Sequence, residues 1–166
     1  MTDRLTTPTG AGLLIALISA LVLGTALASQ YLGGLEPCQL CLYQRVPYVI
    51  TICLGLLAAL PLPGGLRMAF LLFAALAFAA GAAIAGFHVG VEQKWWEGLP
   101  GCSSAAFSTD MTLEELKDAI LGQEKVVPCD EVAWSLFGIS MAGYNFLVSL
   151  VLAGLTLWLA GRVSRR

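Results

Sequence analysis

The chain alternates between long apolar runs and short charged breaks. No Asp, Glu, Lys or Arg occurs between Arg4 and Glu36, Arg45 and Arg67, Arg67 and Glu92, or Glu131 and Arg162. These intervals hold 31, 21, 24 and 30 residues. A membrane-spanning helix needs roughly 20 mostly apolar residues, so each interval accommodates one and none comfortably holds two. The pattern predicts helices near 11–32, 46–62, 67–87 and 137–161, the second being short. Leu and Ala dominate these runs without the period-two alternation of a membrane barrel. The expected fold is therefore all-α: an integral membrane four-helix bundle, one domain over 1–166, with two loops on one side at about 33–45 and 88–136. Small residues recur four apart at Gly24/Ala28, Gly81/Ala85 and Ala82/Gly86, a spacing that lets helices approach closely, although abundant Ala and Gly would also produce it.

Composition agrees. Hydrophobic residues make up 58% of the chain and charged residues 12%, half the ~25% of a soluble domain. A soluble chain of this length buries only about 70% of its unfolded surface and could not hide so much apolar area. A disordered tail, a small soluble enzyme and a secreted disulfide mini-protein are excluded. Ala26-Leu27-Ala28 resembles a signal-peptidase site, but the apolar run Ala11–Ala28 exceeds the roughly 7–15 residues of a signal core, so an uncleaved first helix is expected.

Four helices put both termini on one side. Arg4, Arg67, Arg162, Arg165 and Arg166 fall there in very short segments, against Arg45, Lys94, Lys117 and Lys125 on the other. Short segments weigh most in the positive-inside rule, so both termini are expected in the cytoplasm and both loops outside. The larger loop carries 12 of the 20 charged residues. Its segment 112–120 reads as a short amphipathic helix: Thr112 and Glu115 match a capping box, and Leu113, Leu116 and Ile120 share a face. It could lie on lipid or pack on its own loop. Trp95 and Trp96, just beyond the third helix, suit an interfacial belt.

Cysteine placement carries the chemistry. Of five cysteines, Cys53 falls inside the second helix and reads as a small buried hydrophobe. Cys38, Cys41, Cys102 and Cys129 fall two and two in the outer loops, on the face where disulfides persist. Cys38-Gln39-Leu40-Cys41 is a C-x-x-C motif. A c-type haem site needs His next, and position 42 is Leu. Structural zinc usually needs a second such motif or two histidines; the chain has one motif and one histidine, so no metal is expected. No βαβ pattern marks a thioredoxin domain. A redox dithiol on a membrane helix remains. Near the start of the second helix, the helix dipole favours a thiolate, and Arg45, four residues beyond Cys41, adds a fixed positive charge over the same face; alternatively Arg45 only anchors the helix to headgroups. Pro47 could bend the helix or delay its start. Cys102 and Cys129 could be a static staple or a second redox pair, Gly98, Pro100, Gly101 and Pro128 giving them flexible flanks. His88 closes the third helix level with Arg45, as an interfacial residue or a donor to a carbonyl ligand. No G-x-G-x-x-G follows a strand, and no basic patch indicates nucleic acid.

The run Cys38-Gln39-Leu40-Cys41-Leu42-Tyr43-Gln44-Arg45 resembles the C-x-x-C-x-Y-x-R signature of the DsbB disulfide oxidases. The four helices, the second cysteine pair in the larger loop and the histidine after helix three are similar to the same family. The resemblance implies that a periplasmic, thioredoxin-fold, DsbA-like dithiol protein attacks a Cys102–Cys129 disulfide, first at Cys102. The Cys38–Cys41 disulfide then reoxidises the loop pair. Cys41 passes two electrons to a quinone, ubiquinone or menaquinone, held near Arg45 and His88. It also implies the bacterial inner membrane. A DsbA-type partner sits near about −120 mV and structural disulfides below about −300 mV, so only a strong non-protein acceptor can drive the cycle. Two alternatives are a vitamin K epoxide reductase-like enzyme, which typically carries its C-x-x-C near the end of a later helix, and a non-catalytic four-helix scaffold, which leaves the spacing of Cys38 and Cys41 unexplained.

Overall fold

The computed structural model describes residues 7–99 and 127–164. Among the described residues, four helices are long and apolar enough to cross a membrane: α1 (Pro8–Tyr31), α2 (Gln39–Ala59), α3 (Gly64–Glu92) and α4 (Met141–Ser164). The protein is an all-α membrane bundle. Cys102 and the amphipathic segment 112–120 lie outside the described residues.

Each helix starts where local chemistry dictates. Thr7 caps α1 through its side-chain oxygen, which accepts from the Gly10 amide at 3.1 Å, and Pro8 occupies the first turn, where its missing N–H costs nothing. Cys38 caps α2, its sulfur accepting from the Cys41 amide at 3.3 Å. Pro61 and Pro63 interrupt the chain between α2 and α3. Ser140 accepts from the Gly143 amide at 3.1 Å at the start of α4.

Neighbours in sequence pack against each other, α1 on α2, α2 on α3 and α3 on α4. Their contacts run antiparallel: Gly12 meets Gly55, Ser19 meets Thr51, Pro47 meets Gly81, and Gly86 meets Phe146. The α1–α2 crossing is tight. A Cβ at Gly12 would lie 2.4 Å from the Gly55 carbonyl oxygen, and one at Gly55 would lie 2.7 Å from that of Gly12. Of the small-residue pairs singled out by spacing, Gly24/Ala28 faces outward, whereas Gly81, Ala82 and Ala85 are buried. The Gly12–Gly55 contact joins two helices, so no spacing within one helix reveals it. Ile15, Tyr48, Leu71, Phe78, Leu152 and Leu159 fill the centre. Leu17, Leu21, Phe73, Leu76 and Val151 are exposed, as a face in lipid requires.

Three boundaries differ from the charge-gap expectation. The second helix starts at Gln39 rather than near 46. Arg45 is inside it, donating from Nη1 to Gln30 Oε1 on α1 at 2.6 Å. Pro47 neither delays nor ends the helix; its ring packs over Gly81, which has no side chain to oppose it. The third helix continues to Glu92. Its bounding charge is accommodated because Ser140 donates to the Glu92 carboxylate. The fourth starts at Met141, since Ser135–Leu136 and Ile139–Ser140 form a small antiparallel hairpin. Phe137 (φ 51°) and Gly138 (φ 77°) make its two-residue turn, both with the positive φ of the commonest tight hairpin. Cys53 is also corrected: it is exposed on the outer face of α2 rather than buried.

Candidate functional site

The C-x-x-C motif wraps the first turn of α2, because Cys38 is the cap and Cys41 the third helical residue. The cap geometry brings the two sulfurs to 2.9 Å as a dithiol, with Cys38 Sγ donating to Cys41 Sγ. Cys38 is buried, and its thiol is pushed well above the ordinary cysteine range. The main cause is the hydrogen bond it donates to Cys41, with burial second.

The next turn of α2 delivers Gln44, Arg45 and Tyr48. From α3 comes His88, only 3% exposed rather than at the surface, because the helix runs one turn beyond it. Its Nε2 lies 3.6 Å from Cys38 Sγ and 4.0 Å from Glu92 Oε1. Its Nδ1 is 2.6 Å from Gln44 Nε2. Gln44 Oε1 accepts from Asn145 Nδ2 on α4 at 2.5 Å, and Asn145 Oδ1 accepts from the Tyr48 hydroxyl at 2.6 Å. Tyr48 is also 2.9 Å from Ser149 Oγ.

Cys129 is completely buried in a small cluster with Cys38, Leu40 and Val91. A 2.7 Å ion pair between Lys94 and Asp130 holds its segment to the end of α3. Trp96 folds back over Gly90, stacks on Phe87 at 5.9 Å and donates to its carbonyl at 3.0 Å. Trp95 is exposed.

Two cavities meet at the sulfurs. The larger, 580 Å³, lies between α1, α2 and α4 and is mostly apolar; Cys41, Arg45, His88, Trp134 and Asn145 border it. The smaller, 50 Å³, lies toward the loops and is bordered by Cys38, Cys41, Glu36, Glu92 and Glu131. Cys41 borders both, Cys38 only the second. Cys38, Cys41 and His88 also present three donor atoms within 4.8 Å of one another. Tetrahedral zinc with Zn–S near 2.3 Å would hold two sulfurs about 3.8 Å apart, wider than the 2.9 Å between these two.

Of the sequence-derived candidates, the structure brings together Cys38, Cys41, Arg45, His88 and Cys129. It adds Gln44, Tyr48, Glu92, Asn145 and Ser140. Asn145 was legible as an amide inside an apolar span, whereas Gln44 fell in the expected loop 33–45. Glu92 had served only to mark a boundary.

A family model for the disulfide bond formation protein DsbB matches residues 8–159. The chain belongs to the DsbB family. It is 34% identical to disulfide bond formation protein B of Chromohalobacter salexigens, covering 93% of this chain and 91% of that one. Identity to the Stutzerimonas stutzeri protein of the same name is 30%, over 93% and 96%, and to that of Methylococcus capsulatus 34%, over 85% and 87%. No solved structure matches. As a DsbB-family chain it is a multi-pass membrane oxidoreductase of disulfide bond formation.

Proposed function

We propose that the protein reoxidises a periplasmic, DsbA-like thioredoxin-fold dithiol protein and passes the two electrons to a membrane quinone. The carrying observation is the division of the sulfur pair: Cys41 borders the large apolar cavity, while Cys38 packs with Cys129 on the loop side.

The residues fit a quinone. A 580 Å³ cavity lies in the usual range for small-molecule sites, roughly 300–1,000 Å³. Its walls are apolar, Arg45 offers N–H donors beside a sulfur nucleophile, and His88 borders the same space. The bound quinone supplies a sink for two electrons and two protons. In the cycle, a partner thiolate attacks Cys102 of a Cys102–Cys129 disulfide, and the partner's second thiol resolves the mixed disulfide. The partner leaves oxidised, and Cys102 and Cys129 are left as thiols. These reduce the Cys38–Cys41 disulfide by exchange, a step for which Cys129 and Cys38 already share one cluster. Cys41 borders the cavity. Re-forming the Cys38–Cys41 bond releases two electrons and two protons to the acceptor. Both termini are cytoplasmic and the cysteine loops periplasmic, in the bacterial inner membrane.

The test is a thiol count. The purified protein, reduced in detergent, is treated with ubiquinone or menaquinone and its thiols are mass-tagged. Four of five thiols should disappear as two disulfides, one quinone consumed per disulfide, with Cys53 left. No thiol loss overturns the proposal.

A further inference from the structure

The end of α3 is built around a residue that rarely serves there. The helix stops in a Schellman turn: the Lys94 amide donates to the Val91 carbonyl at 3.0 Å and the Trp95 amide to the Gly90 carbonyl at 2.9 Å. Such a turn needs one left-handed residue, and Lys94 supplies it at φ 61°. Glycine is the usual choice, because a Cβ is disfavoured at positive φ. Lysine adopts the disfavoured backbone here, and its side chain makes a contact that glycine could not. The Lys94 ammonium lies 2.7 Å from the carboxylate of Asp130, the residue next to Cys129. The Asp130 side chain is 11% exposed and that of Lys94 65%. Two further contacts hold the same segment: Cys129 is buried in the cluster with Cys38, Leu40 and Val91, and its backbone is hydrogen-bonded to His88.

We infer that Lys94 is a positioning residue for the handover between the two cysteine pairs, its ion pair with Asp130 keeping Cys129 against Cys38. The inference deepens the proposed function, since it rests on Cys129 being the loop sulfur that attacks Cys38. In that step the Cys129 thiolate attacks Cys38 Sγ, the Cys38–Cys41 bond breaks, and Cys41 leaves with the electron pair. Cys102 then attacks Cys129, restoring the loop disulfide and releasing Cys38. Two S–S bonds form and two break, so the exchange needs no outside oxidant, and the protons of the loop thiols end on the α2 dithiol. Cys129 thus bonds to Cys102 and to Cys38 in turn. Its anchor must open and close, and an exposed ion pair is weak enough to do so.

The test measures how readily the two sulfurs meet. In full-length C41S/C102S protein in detergent, Cys38 and Cys129 are equilibrated with reduced and oxidised glutathione, and the Cys38–Cys129 disulfide is quantified by fragment mass spectrometry. The equilibrium constant against glutathione reads the effective concentration of one sulfur at the other. At low salt, K94G should lower it about two- to fivefold, the range for one exposed ion pair. K94R should hold the parent value, and K94E, which sets like charges together, should fall below K94G. At about 1 M salt, where charges are screened within roughly 3 Å, the parent should drop to the K94G value. Glycine suits the turn better than lysine, so K94G should not lower the thermal midpoint. K94R and K94E share the strained backbone and differ in charge, so their comparison stands whatever glycine does to the fold. A K94G value equal to the parent at low salt overturns the inference. So does K94R falling with K94G, K94E matching K94R, or a K94G deficit that salt leaves unchanged. Neither quinone nor partner enters the measurement: a protein that behaves as expected here while the wild type consumes no quinone would refute the proposed function and leave the anchor standing.

Discussion

Arg45 and His88 reach the larger cavity from different helices and are held differently. Arg45 is fixed by one hydrogen bond to Gln30, and His88 by enclosure and an amide. Arg45→Ala should raise the apparent KM for quinone with a smaller effect on kcat, because it removes a donor at the cavity wall; an unaltered quinone dependence in steady-state oxidation would reduce Arg45 to an anchor. Cys102→Ala should abolish oxidation of the soluble partner while leaving Cys38 and Cys41 able to lose their thiols to quinone, checked by mass-tagging. Tyr48→Phe removes the hydroxyl shared by Asn145 and Ser149. It should cost about 1–3 kcal/mol, the cost of leaving a buried acceptor unpaired, read as a lower thermal midpoint in detergent.

At the scale of elements, two glycine backbones seal α1 against α2 at the end far from the dithiol. Gly55→Val has no flexible neighbour to push aside, since the obstructing atoms are the Gly12 carbonyl and the Ala16 amide. The helices must separate, and a loss of about 1–3 kcal/mol is expected from overpacking, measured by thermal unfolding. Helix existence was legible in the sequence, because charge is costly in lipid and its gaps are conspicuous. Helix ends were not. Arg45 and Glu92 looked like borders, yet Gln30 and Ser140, far away in sequence, partner them within helices. The hairpin before α4 was hidden for a related reason: Leu136, Phe137 and Ile139 are as apolar as a helix, and only the positive φ of Phe137 and Gly138 distinguishes them. In the candidate site, the cysteine spacing exposed the chemistry, whereas the polar row through Gln44 and Asn145 needed three helices side by side to be seen.

For the whole molecule, four antiparallel crossings place residues 8 and 164 at one end and the sulfur pair at the other. Arg67, at the end opposite the dithiol, ties α3 to α1 through Thr9 and to α2 through the Ala58 carbonyl. Cysteines introduced near residue 165 and in the loop near residue 97, in a background with the native thiols blocked, should differ in reaction with an impermeant maleimide on intact cells. Only the loop position should label before lysis; labelling of both would break the expected orientation.

The two cavities that share Cys41 also bear on kinetics. A head-group mimic lodged among α1, α2 and α4 occupies no space that a visiting protein needs above the loops. Such a compound should depress the maximal velocity of partner oxidation and the half-saturating concentration of the partner together, an uncompetitive pattern, because the partner leaves before the electrons reach the acceptor. Cys41 thus stands where the two cavities meet, one within the bundle and one toward the loops.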